Sequence, residues 1–453
     1  MVDRIVLVLG IITLLTFINF SFITHFYQKE AYRRRINAGF LAGIQALTFL
    51  FSSLISGQYL HKIGRHKSML IGAVLIIISM MGFGSLYFVS ENNKAAFILL
   101  SIIWKFLFGI GAGLNLTASY AIIVAHFKDD WERNIGMMKA FIGIGPLIGL
   151  FFGGLMHQIG GYILPYFAST CVYFLMYPMI AVTLNKIYQI ENNQELERNE
   201  LPQAIMDTRG VNVQVKFTRL FMIPCFITGF LSLVIVYITI KFRLPTLAVK
   251  FKDAGYGENA IFASFAIPTL ITFFSRLLVY KLTARYRRST IILCGYFIIS
   301  TGMFLVGPSQ ILGFKDLIQL TFIGLCAIGL GCGMIFIPVL PEMIESVQEA
   351  YPGTDKDQLY NRISGIFVAA QALGEIAGPL LGHMFKIMYG FRKSQDIIAV
   401  TLLSFMILFY LVNVRNKKFQ QALPESGEVN HQVLEANEVR VREPLLHINP
   451  RIN

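Results

Sequence analysis

Glu375 stands in the middle of a long apolar run, beside Gly374 and one helical turn from Gln371. A charged side chain at the centre of a membrane helix costs about 2.5–3.5 kcal/mol on insertion scales, so a carboxylate retained there marks a functional position. Proton and organic cation competing for one carboxylate is the simplest chemistry it could perform. The alternative is a structural pair with a basic residue from the other half of the chain. Polar groups in other apolar runs could share a cavity with it: Asn19, Asn115, Thr117, Ser119, Tyr120 and Tyr237. The rings of Tyr120 and Tyr237 could hold an ammonium group by cation–π attraction, worth about 0.5–2 kcal/mol each, or simply pack in a core. Lys105 is a third candidate, for proton coupling or for snorkelling to a surface.

A second group of residues suits gating rather than binding. Gly57 to Lys67, GQYLHKIGRHK, is a tight basic turn between two apolar stretches, with His61, Lys62, Gly64, Arg65 and Lys67 inside it. Excess Lys and Arg assign such a turn to the cytoplasmic face. Glu342 and Glu345 are placed to pair with Arg287 or Arg288 across a cytoplasmic gate, and Arg133 and Arg362 open two later runs. Lys139 and Arg276 read as solvated or gate-forming groups near cytoplasmic ends. Lys241 and Arg243 lie deeper and weaken any purely cationic site.

The elements that must position these groups are membrane helices. The chain has 453 residues, 55% hydrophobic and only 14% charged, against about 25% charged in soluble domains. Apolar runs of about 20 residues, enough to cross about 30 Å of hydrocarbon, recur at 5–27, 37–60, 68–90, 96–125, 135–157, 162–186, 218–247, 258–280, 289–308, 317–346, 363–388 and 395–414. The fold class is therefore all-α, with twelve spans in two six-helix bundles. Expected boundaries are 1–187 for the first bundle, 188–217 for a cytoplasmic linker, 218–414 for the second bundle and 415–453 for a disordered tail. The first apolar run reads as a retained helix, not a cleaved leader. The net charge of +13 is dispersed over loops and tail, which fits a membrane surface and not nucleic acid. Five cysteines lie in apolar runs as small core residues, with no metal-ligand spacing and no phosphate loop of the GxxxxGK[ST] type. No metal and no cofactor are expected, and the chemistry is not enzymatic.

Internal repetition supports two halves. Gly109, Gly111 and Gly113 recur as Gly329, Gly331 and Gly333, an offset of 220; Arg133 recurs as Arg362, an offset of 229 that also carries Gly145, Gly149 and Gly153 onto Gly374, Gly378 and Gly382. Such rows are expected to pack helices closely and to give smooth faces on which one bundle rocks against the other. Pro146, Pro338, Pro341 and Pro379 are expected to interrupt the helical hydrogen-bond ladder.

Two six-helix halves with GQYLHKIGRHK between the second and third spans resemble the major facilitator superfamily over residues 1–414. That resemblance implies alternating access by a monomer. Where the family's loop carries an acid this chain has His61, which makes opening of the gate pH-dependent in the histidine range. Gly378-Pro379-Leu380-Leu381-Gly382 is similar to the family's antiporter motif. His25 to Ala31, Gly57 to Leu60 and Gly333 to Ile344 resemble more closely the vesicular amine transporters and their polyamine branch. This implies an organic cation exchanged for protons, the coupling ion, across a vesicle or plasma membrane with both termini cytoplasmic. The branch's span-seven acid is replaced by Leu244 before Pro245, so an organic anion or zwitterion, a uniporter, and a non-transporting receptor or scaffold are the alternatives. Glu443-Pro444-Leu445-Leu446 resembles a dileucine sorting signal.

Overall fold

A computed structural model describes residues 2–36, 38–199, 217–352 and 354–415. Among these the chain is helical with no strands, as a bilayer demands of backbone that must satisfy its own hydrogen bonds. The first half contains α1 (Val2–Phe22, continued through a π-turn to Arg33), α2 (Ala38–Ile63), α3 (Arg65–Ser85), α4 (Lys94–His126), α5 (Trp131–Gly160) and α6 (Ile163–Asn199). The second contains α7 (Pro224–Phe242, resumed as Leu244–Asp253), α8 (Glu258–Thr283), α9 (Arg288–Val306) and α10 (Ile318–Phe336, resumed as Val339–Ala350). The helical stretch Lys356–Tyr410 breaks at Gly390 (φ 74°) and so supplies both α11 and α12. Twelve spans result. Large apolar side chains face outward throughout, among them Phe51, Phe174, Leu175 and Ile387, the reverse of a soluble domain.

Several expectations change. The polar stretch from Tyr188 is not all linker: α6 runs on to Asn199, because its Glu, Gln, Leu and Arg residues are good helix formers. Residues 200–216 and the tail from 416, including its dileucine, lie outside the described residues. The basic turn is one residue wide, since α2 ends at Ile63, α3 starts at Arg65, and Gly64 alone turns the chain with φ 87°. Of the prolines, Pro338 coincides with a helix break, whereas Pro146 and Pro379 sit inside continuous helices. Only Cys332 is buried among the cysteines; Cys171 and Cys294 are exposed.

The glycine rows are seats within each half. A Cβ at Gly109 or Gly113 would strike α2, and one at Gly111 would strike Gly72 of α3; a Cβ at Gly329 or Gly333 would strike α8, and one at Gly331 would strike Gly295 of α9. Gly145, Gly149 and Gly153 seat α5 on α1, while Gly374, Gly378 and Gly382 seat α11 on α7. These faces build each bundle and are not the sliding surface between bundles. Contacts between the halves run through α2 on α11 and α5 on α8. There the close approaches are Gly57 to Gly365, and Gly136 to the Arg276 carbonyl.

Basic residues after α1 also find local partners. Arg34 is buried, donating to Glu30 at 2.9 Å and to the Val89 carbonyl at 2.8 Å. Arg33 pairs with Glu30 at 2.8 Å and Glu91 at 3.1 Å.

Candidate functional site

The halves close on each other at the end that carries Gly64. Arg65 opens α3 and reaches α11, donating from Nε to Asn361 Oδ1 at 2.8 Å and from Nη2 to Asp357 Oδ1 at 3.3 Å. Arg288 opens α9 and reaches α5, where Nη2 lies 2.6 Å from Glu132 Oε1, while Nη1 pairs with Glu345 of its own half. Trp131 of α5 packs edge-on against Tyr360 of α11, with ring centres 5.9 Å apart. Deeper in, Tyr120 of α4 meets Phe367 of α11 at 5.0 Å.

Below this layer lies Lys139, on α5 and fully buried. Its Nζ is 4.4 Å from the centre of the Phe367 ring, 5.2 Å from Phe336 and 5.3 Å from both Tyr120 and Tyr237. It donates to Tyr237 Oη at 3.0 Å and to Gln371 Oε1 at 3.2 Å, and Tyr237 Oη donates to the same Gln371 oxygen at 2.8 Å. Arg276 of α8 donates to the Lys139 carbonyl and lies over the Phe336 ring at 4.9 Å. Gln371 Nε2 then donates to Glu375 Oε1 at 3.3 Å, and Lys241 Nζ stands 3.9 Å from that oxygen. A polar chain thus joins Lys139 through Tyr237 and Gln371 to Glu375 and Lys241.

Glu375 faces a narrow cleft between the halves, walled by Thr16 and Phe20 of α1, Gln45 and Phe49 of α2, and Phe108 of α4. Gln45 precedes Ile63 by 18 residues, about 27 Å of helix, so the cleft lies toward the end opposite Gly64.

Of the substrate residues expected from sequence, the structure brings together Glu375, Gln371, Tyr120 and Tyr237. Asn19 and Asn115 go elsewhere: Ser169 donates to Asn19 inside the first half, and Asn115 packs against Gly72 of α3. Lys105 is buried with Nζ 4.4 Å from the centre of the Tyr27 ring, and it neither snorkels nor joins the central cluster. The pair partner of Glu375 comes from its own half. Lys139 and Arg276, read from sequence as solvated or gate-forming, are buried, because the rings and Gln371 supply what water would have given.

Among the gate residues, His61 is exposed, as are Lys67, Arg133 and Arg287. The side chain in this turn that reaches the other half is Arg65. Arg287 gives way to Arg288, whose partner in its own half is Glu345; Glu342 is buried and accepts from Ser289 at 3.2 Å. Arg362 is half-buried. Sequence reasoning missed Glu132, Asn361, Asp357, Phe336 and Phe367. The offset of 229 that superposes Arg133 on Arg362 also places Glu132 on Asn361 and Gly136 on Gly365, so two of the closing contacts were readable as a pair.

Two six-helix bundles meeting around a buried polar centre are the architecture of a membrane transporter built from two repeats. The chain belongs to the Major Facilitator Superfamily, whose family model matches residues 6–379. It is similar to the MFS-type transporter SLC18B1 of Rattus norvegicus, 28% identical over 90% of this chain and 87% of the relative. It is also similar to the vesicular acetylcholine transporter of Drosophila melanogaster, 24% identical over 84% of this chain and 61% of the relative. Among solved structures, the proton:xylose symporter XylE bound to 6-bromo-6-deoxy-D-glucose shares the fold, with a TM-score of 0.63 and 16% identity over 90% of this chain and 94% of that one.

Proposed function

We propose that the chain moves a small organic cation, amine- or polyamine-like, across a membrane in exchange for protons. The observation that carries this reading is Glu375: it lines the cleft between the halves and is hydrogen-bonded through Gln371 to an aromatic enclosure that suits an ammonium group. When ionised, Glu375 holds the cation; a proton arriving from the acidic side releases it. One pH unit supplies about 1.4 kcal/mol per proton, a tenfold accumulation. The similarity to vesicular transporters supports a vesicle membrane, with both termini and the Gly64 end cytoplasmic and the chain working as a monomer of two bundles. In that orientation the structure is closed to the cytoplasm.

A second reading is favoured by a specific observation. Lys139, Lys241, Arg243 and Arg276 all lie within the second half's interior or against it, and Glu375 is the acid that pairs with one of them. Such a surplus of bases suits an organic anion or a zwitterion.

The two separate in proteoliposomes with an imposed pH gradient, loaded in turn with spermidine, a monoamine and an organic anion. The first reading expects gradient-driven amine uptake that falls at least about tenfold in Glu375→Gln. Anion uptake without amine uptake establishes the second. Flux indifferent to the gradient describes a uniporter, and no flux from folded protein describes a receptor or scaffold.

A further inference from the structure

We propose that the enclosure formed by Tyr120, Tyr237, Phe336 and Phe367 is an ammonium site which Lys139 occupies as a tethered cation, and that a free ammonium group takes the site by displacing it. The inference deepens the organic-cation reading at the same site.

The geometry is that of a cation receptor already filled. Four ring centres surround the Lys139 Nζ at 4.4–5.3 Å. Among the described residues no carboxylate lies within ion-pair distance of it, and Glu375 is reached only through Gln371. An ammonium buried without an acid depends on ring faces and neutral acceptors for its stability. Both are present, for Tyr237 Oη and Gln371 Oε1 take two of its three donors.

The ownership of the parts supplies the mechanism. Tyr237, Phe336 and Phe367 belong to α7, α10 and α11 of the second half, whereas Lys139 and the fourth ring, Tyr120, belong to α5 and α4 of the first, so that opening leaves a three-ring cage on the second half. With the lysine seated, the halves are pinned together just inside the closing layer of Arg65, Arg288 and Trp131. Arg276, donating across to the Lys139 carbonyl, holds the α5 backbone in register with the cage. Any opening at the Gly64 end that draws α5 away from α8 and α11 withdraws the lysine and vacates the cage toward that side. A ligand ammonium can then enter, and while it stays the lysine cannot return. The two acceptors favour a primary ammonium over a quaternary one, which would leave Tyr237 and Gln371 without the hydrogen bonds the lysine makes.

The test is chemical rescue in lipid nanodiscs with no gradient, read by hydrogen exchange of α5 and α11 near their first turns. In Lys139→Ala, exchange there should rise about tenfold or more. Butylammonium should restore protection in a saturable way, tetramethylammonium should do so less well, and sodium butyrate should not. Lys139→Arg, which keeps a cation, should stay protected. Unchanged exchange in Lys139→Ala, or rescue by butanol as well as butylammonium, overturns the proposal. So does butyrate binding to the parent protein that vanishes in Lys139→Ala, which would make the lysine an anion ligand. If Lys139→Ala does not fold, Phe367→Leu removes one wall and leaves the lysine; severalfold faster exchange supports the proposal and unchanged exchange overturns it. A chain that transports no amine would still show rescue if the cage is as described, so this test and the uptake assay fail separately.

Discussion

Arg65 and Arg288 occupy matching places in the two halves, yet they close the molecule by different physics. Each starts the third helix of its half and reaches the beginning of α11 or α5 in the other. Their partners, Asn361 and Glu132, coincide at the repeat offset of 229. On the Arg65 side the acceptor is a neutral amide, supported by the near-exposed Asp357, and the backbones touch where Gly57 meets Gly365. On the Arg288 side two carboxylates, Glu132 and Glu345, share one guanidinium. One seam rests chiefly on shape and a neutral acceptor, with a single half-exposed ion pair, the other on two carboxylates around one guanidinium. The two seams thus differ at matching positions of the repeat, so that salt and charge changes should act chiefly on one seam and added bulk chiefly on the other.

The largest effect is expected from Arg288→Ala. It leaves Glu132 and Glu345 without the cation between them, and truncating one member of a hydrogen-bonded charge pair costs about 2 kcal/mol or more, some thirtyfold in the closed-to-open ratio. Arg65→Ala should cost less, because its closer acceptor is the neutral Asn361 amide and the carboxylate left behind, Asp357, is half-exposed to solvent. Distances across the Gly64 end, measured by spin labels in both variants, check the order; equal effects would remove the distinction between the seams.

Bulk should produce the next effect. A methyl group at Gly365 would lie 2.6 Å from the Ser53 carbonyl and 2.7 Å from the Gly57 Cα, both backbone atoms that cannot rotate away. At Gly136 the obstacle is one carbonyl, that of Arg276, at 2.8 Å. Overpacking costs about 1–3 kcal/mol, so Gly365→Ala should open the seam by about tenfold and Gly136→Ala by less. The same distance measurement reads both.

Exchanging the acceptors sharpens the comparison further. Asn361→Asp should add a second, closer ion pair to the Arg65 seam beside the one with Asp357, and Glu132→Gln should make the Arg288 seam partly neutral. At 1 M salt the screening length falls to about 3 Å, so the salt-dependent opening should follow the carboxylate from one seam to the other by a fewfold. Opening that keeps its original salt response in both variants would show that other charges set it.

These seams also measure how far the sequence could be read. Helix count, the division into halves and the glycine pairing follow from hydrophobic period and repetition, which one chain displays directly. Glu375 was legible because an acid in hydrocarbon is rare. Lys139 was not, since a lysine eight residues inside α5 looks like one near enough to an end to reach water; only the convergence of Tyr120, Phe336 and Phe367 from three other helices gives it a dry partner. Glycine rows were legible as packing but not as to which helices they pack, because spacing carries no information about the neighbour. Asn19 lies apart from the central cluster for a related reason: a polar residue in a span can bond within its own bundle as readily as face a cavity.

The smallest effect separates residue type from position within the Gly57–Lys67 turn. A histidine where the family has an acid makes His61 an attractive pH sensor, but the turn directs alternate side chains differently. Gly64 reverses the chain, and the residue just after it, Arg65, is buried against α11, while His61 lies on the last turn of α2 with its side chain exposed. A group in high-dielectric surroundings, away from the seam, has little differential interaction with open and closed states, and without that difference it cannot shift their equilibrium. His61→Asp and His61→Ala should therefore leave the pH profile of transport unchanged and alter the closed-to-open ratio by less than about twofold. A profile that moves in both variants would return the sensor to His61 and require the turn to rearrange as the seam opens.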